Sequence, residues 1–66
     1  MNIEFRFLEK AIKDKNYISF SYEKENIRKV KPLELLEKED NYFLKTPNRI
    51  LEFNKITKLQ ILKERF

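Results

Sequence analysis

The chain contains no cysteine, no histidine, no glycine and no tryptophan. Without cysteine no disulfide can staple it, and without histidine as well the usual zinc ligand sets are missing, so any structural metal would need carboxylates alone. The lack of glycine removes the phosphate-cradling loops and leaves every left-handed backbone position to a residue with a side chain. No apolar run approaches the roughly 18 residues of a membrane span, and the start lacks the basic-then-apolar layout of a signal peptide. A cytoplasmic protein that meets no membrane is therefore expected. No cofactor is expected, and catalysis is not: there is no cysteine or histidine nucleophile or base, and Glu37, Glu39 and Asp40 fall in a charged turn with nothing to tune them.

What is present is aromatic and charged. Sixty-six residues make one small domain. At this length a chain buries only about 60% of its unfolded surface, so stability rests on packing or on a partner chain. Six Phe and three Tyr supply the means, each burying on the order of 150–250 Å². The net charge of +4 is unevenly spread: residues 1–40 hold nine cations and nine anions, and residues 41–66 hold six cations and two anions. That asymmetry points to an anionic partner. Its alternative is a general surplus of Lys, Ile, Asn and Glu.

The periodicity predicts one helix followed by about five strands. Ile3, Phe7, Leu8, Ala11 and Ile12 form an apolar stripe over 2–14, with Asn2 as a cap and Glu9 with Lys13 as an i,i+4 pair. Residues 17–23 alternate, placing Ile18, Phe20 and Tyr22 inward. Asn26 is the expected left-handed residue of the next turn. A second extended run, 27–37, carries Val30, Leu33 and Leu35 as core. Pro32 interrupts it and calls for an edge, a bulge or a bend between two sides of a barrel. Residues 41–46 and 49–53 read as a hairpin turning at Pro47 and Asn48, and after a bend at 54–56, residues 57–63 alternate with Leu59 and Ile61 inward. Five short strands joined by tight turns predict a mainly β fold with one N-terminal helix: a small five-stranded barrel of the SH3-like or Sm-like kind, closed because an open sheet leaves two bare edges.

The hairpin of 40–56 is the candidate site. Tyr42 and Phe43 cannot both be core on an alternating strand, so one ring faces outward or into a site. Arg49 is a fork-shaped cation among aromatics, suited to a phosphate; Lys55 and Lys45 add charge nearby. Tyr22 packs with its hydroxyl at the rim, and Arg28, Lys29 and Lys31 form a basic cluster before the bend. Aromatic faces stack on bases at about 1–3 kcal/mol each while cations engage phosphates.

The succession Ile18-Ser-Phe-Ser-Tyr22, Arg28-Lys-Val-Lys-Pro-Leu33, Tyr42-Phe43-Leu44 and Arg49-Ile-Leu-Glu-Phe-Asn-Lys-Ile56 resembles the bacterial WYL domain, named for a Trp-Tyr-Leu triplet. Tyr42, Phe43 and Leu44 stand at the triplet, and Arg49 at the first arginine of the return strand. Glu52 stands where a second arginine is common, and Lys55 replaces the arginine before Ile56. The resemblance implies an Sm-like barrel preceded by a helix and a regulatory sensor of transcription regulation or phage defence. Its ligand would be single-stranded nucleic acid or a nucleotide-like effector. Its partner would be a DNA-binding domain in the same or another chain. A second expectation uses the same surface differently, as a protein interaction or homodimer module with no nucleic-acid ligand.

Overall fold

A computed structural model describes residues 3–66; the expected cap Asn2 and the side chain of Ile3 lie outside what is described. The chain forms helix α1 (Ile3–Asp14), strands β1 (Asn16–Tyr22), β2 (Glu25–Val30), β3 (Glu34–Lys38), β4 (Asn41–Lys45) and β5 (Ile50–Glu52), a single 3₁₀ turn (Phe53–Lys55), and strand β6 (Ile56–Arg65). It is mainly β with one N-terminal helix, as expected, but with six strands rather than five. They form two three-stranded antiparallel sheets, ordered β2-β1-β6 and β3-β4-β5.

The extra strand comes from Pro32. The run expected over 27–37 divides at residues 31–33, with Pro32 fully buried at the bend. Proline has no N–H to give a ladder, so the strand ends there and the chain crosses to the second sheet. The backbone N–H of Leu33 then bonds the Lys45 carbonyl at 2.9 Å, which joins the crossing to the β4 end. A side chain expected in the core lies on this crossing and is not buried: Leu33 is 41% exposed.

The core lies between the sheets and under the helix: Leu8, Ala11, Ile18, Phe20, Tyr22, Leu44, Leu51 and Ile56 are buried, with Val30, Leu35 and Leu59 packed against them. Ile18, Phe20 and Tyr22 therefore face inward as their alternation predicts. The helix turns Leu8, Ala11 and Ile12 inward as the stripe predicts, and among its described side chains Phe7 alone departs from it. Phe7 is half exposed, and Phe5 serves instead, its ring edge-on to Tyr42 at 4.7 Å and to Phe53 at 5.5 Å between centroids. Lys10 pairs with Asp14 at 3.5 Å, and the expected pair of Glu9 with Lys13 is absent among the described residues. Ile61 stands opposite Ile18 in the ladder yet is 39% exposed, because the pairing shifts between Asn16 and Ile18 as β6 leaves the core.

Both neighbours of β1 bulge against it. Pairing steps from Ile18–Val30 to Phe20–Ile27, and on the other side from Ser19–Gln60 to Ser21–Thr57, so each neighbour holds an extra residue. Lys29 and Lys58 adopt positive φ within those bulges, and the Lys29 N–H is taken up by the Ser19 hydroxyl at 3.2 Å. Bulges of this kind strengthen the twist of a sheet. The turn after β1 places positive φ at Glu23, not at the expected Asn26, which pairs with Ser21 inside β2.

Candidate ligand-binding site

Three of the expected site residues come together at the far end of β1. Tyr22 is buried, and its hydroxyl oxygen accepts the Glu52 backbone N–H at 3.1 Å, tying the first sheet to the second. Above the ring lies Arg49, its guanidinium carbon 5.6 Å from the centroid. One Arg49 nitrogen donates to Glu25 at 3.3 Å. Lys55 sits 3.6 Å from Glu23 and 3.7 Å from Glu52, and these two carboxylates, Glu52 foremost, hold its ammonium above the usual lysine range. The cluster thus contains Arg49 and Lys55 against Glu23, Glu25 and Glu52. An entering phosphate would have to displace a carboxylate from either cation, and Glu52 stands where the resemblance leads one to expect an arginine.

The loop that delivers Arg49 is built by a residue the sequence reading passed over. Thr46 is buried and its N–H bonds the Arg49 carbonyl at 2.8 Å. Its hydroxyl donates to the same carbonyl at 3.0 Å and accepts the Arg49 N–H at 3.1 Å. The signal was present in Thr-Pro-Asn, since a threonine hydroxyl closing a turn is a recognised local device.

The same loop walls a cleft of about 410 Å³ at the other end of the first sheet, between Tyr17, Lys29, Val30, Lys31 and Thr46 to Asn48. Tyr17 stacks edge-on with Phe66 at 5.5 Å. Lys29 lies 5.3 Å from the Tyr17 centroid and reaches Glu64 at 2.8 Å; that hydrogen-bonded carboxylate raises the Lys29 pKa. Lys31 lies 5.8 Å from the Phe66 ring and, among the described residues, makes no ion pair. Tyr17, Asn48 and Phe66 were not among the expected site residues. The only hint was the position of Tyr17 at the head of an alternating strand.

The remaining expected residues are dispersed. Arg28 lines a smaller polar depression of about 190 Å³ with Ser19, Ser21, Asn26, Lys58 and Gln60. Tyr42 shares the Leu44 side of β4 and packs on Phe5, whereas Phe43 and the exposed Lys45 come out on the opposite side. No cluster of three or more acidic side chains placed to hold a metal occurs among the described residues. No described helix is long and apolar enough to cross a membrane. Compared with family models, curated proteins and solved structures, the chain gives no match.

Proposed function

We propose that this protein is a binding module for single-stranded nucleic acid or a nucleotide-like effector, and that the ligand occupies the cleft between Tyr17, Lys31 and Asn48. The observation that carries the reading is the meeting, in one cleft of about 410 Å³, of the Tyr17 ring with Lys31, an ammonium that makes no ion pair among the described residues. That size lies within the roughly 300–1,000 Å³ of small-molecule sites. Lys31 engages a phosphate, the Tyr17 ring offers a base its edge or face, and the exposed Asn48 amide reads a base edge. Lys29 joins only when the ligand competes with Glu64. Arg49 and Lys55, each held by carboxylates, shape the adjoining loop and do not take the phosphate.

The WYL-like order of residues supports a regulatory setting, in which the module reports its ligand to a DNA-binding domain in the same or another chain. The two sheets are read as an SH3-like or Sm-like barrel. Two features support that: the chain crosses between the sheets at Pro32 and again at the 3₁₀ turn, and Tyr22 bonds Glu52 across them.

The test is a titration of a labelled oligonucleotide and of a nucleoside monophosphate at two salt concentrations. Lys31→Ala is expected to weaken oligonucleotide binding and to lower the salt slope by about one. Arg49→Ala should change it less. Glu64→Gln, by releasing Lys29, should strengthen it. Salt-insensitive or absent binding, or a Lys31→Ala variant equal to the parent, overturns the assignment.

A further inference from the structure

The second sheet carries apolar side chains on both faces. Leu35, Leu44 and Leu51 form one cross-strand row directed at the core. On the other face Leu36 stands opposite Phe43, and Ile50 opposite Lys45, around an open depression of about 500 Å³. Ile50 is 60% exposed, more than any other large hydrophobic residue among those described. An antiparallel sheet with one face in the core ordinarily carries polar residues on the other, so an apolar centre there marks a contact surface.

We propose that this face seats a second copy of the chain, the two β3-β4-β5 sheets stacking about a two-fold axis that runs across the strands at the level of Leu36 and Phe43. Charge identifies the occupant. Along β3 an acid, Glu34, precedes Leu36 by two residues, and a base, Lys38, follows it by two. Neither makes an ion pair within the chain among the described residues. A two-fold axis across the strands reverses the facing strand, so each Glu34 meets a Lys38 of the other copy while Leu36 and Phe43 meet their own counterparts. The β3 side of the patch is thus complementary to itself, as a two-fold contact requires, while on β5 Glu52, level with Phe43, meets its own counterpart and has Lys55 at 3.7 Å to offset the repulsion. The rim gives nucleic acid no net positive charge to bind, because Glu34 and Glu52 balance Lys38 and Lys45 around the apolar centre. Three strands of three to five residues present less than the roughly 800 Å² per partner of a standard stable interface. The dimer is therefore weak and concentration-dependent.

Sedimentation equilibrium without nucleotide, from micromolar to millimolar protein, tests this. A monomer–dimer equilibrium is expected, and Phe43→Asp should abolish it. Glu34→Lys alone and Lys38→Glu alone should each weaken association about tenfold or more by placing like charges opposite each other. The double variant should restore it. Both positions are exposed, and because Glu34 stands opposite Lys45 in the ladder, a thermal unfolding scan of each variant separates a loss of association from a loss of folding. A monomer at every concentration, which leaves the face to another protein or to none, overturns the proposal. So does a double variant no tighter than the single ones.

Discussion

Lys15, Glu23, Lys29, Glu39, Asp40 and Lys58 hold left-handed backbone angles, with φ between 52° and 65°, in a chain that has no glycine to take them. Each such residue costs roughly 1 kcal/mol, less for Asp. Six of them together make a sizeable fraction of the roughly 5–15 kcal/mol that separates a folded domain from its unfolded chain. Glu39 and Asp40 are the clearest pair, because they are the whole loop between Lys38 and Asn41 and both have positive φ. That is the two-residue hairpin turn for which Asn-Gly is the preferred sequence. Replacing Glu39→Asn together with Asp40→Gly should stabilise the protein by about 1 kcal/mol, or about 4–8 °C in Tm at this size. Thermal unfolding followed by circular dichroism measures it. The opposite direction is tested at Leu44, which is fully buried: Leu44→Ala should cost about 2–5 kcal/mol and leave little folded protein.

At the level of elements, the bond from the Glu52 N–H to the Tyr22 hydroxyl joins β1 to β5 across the two sheets. Tyr22→Phe keeps the ring under Arg49 and removes only the acceptor. A loss of about 1 kcal/mol is expected, seen as a lower urea midpoint at unchanged slope. The elements themselves were largely legible in the residue pattern. The alternation of Ile18, Phe20 and Tyr22 located β1 and its inner face, and Pro47 with Asn48 located the turn before β5. Of the edge, bulge or bend that Pro32 called for, the bend is what occurs, but the run of 27–37 was kept as one strand, because a proline states that a ladder stops and not that a new one begins beyond it. Phe5 and Phe7 lie on different sides of one helix, and only the position of Tyr42 and Phe53 decides which of them is buried. Ile61 was misjudged for a related reason: a ladder irregularity is set by the partner strand. The site was less legible still. Arg49 and Lys55 could be picked out as cations, but their carboxylates Glu25 and Glu23 come from the start of β2 and the turn before it, and no local pattern announces a pairing across the fold.

Taken whole, the molecule holds much of its charge in exposed pairs, and two of these leave a pH signature. Glu64 raises the pKa of Lys29, and Glu52 with Glu23 raises that of Lys55. A raised value in the folded state means that the contribution is complete below the ordinary lysine value and is lost as pH climbs through the raised one. Stability should thus hold from neutral pH upward and decline only on the alkaline side, in the range where lysines lose their protons. The decline should be shallow, because these side chains are about half exposed and solvent screens them. Urea midpoints between neutral and alkaline pH measure it. A variant with Glu64→Gln and Glu52→Gln should lose less stability over that range than the parent.

The pairing of β1 with β6 has a further consequence, for the order in which the protein can be made. β1 lies between a neighbour that follows it at once, β2, and the last of the strands, β6, beyond which the Phe66 N–H bonds the Lys15 carbonyl at 2.8 Å. A chain growing at about 5–20 residues per second leaves that edge of β1 unpaired for seconds. Folding must wait until residues 56–66 have emerged, and a nascent chain halted before β6 should be cut readily by protease where the finished one resists.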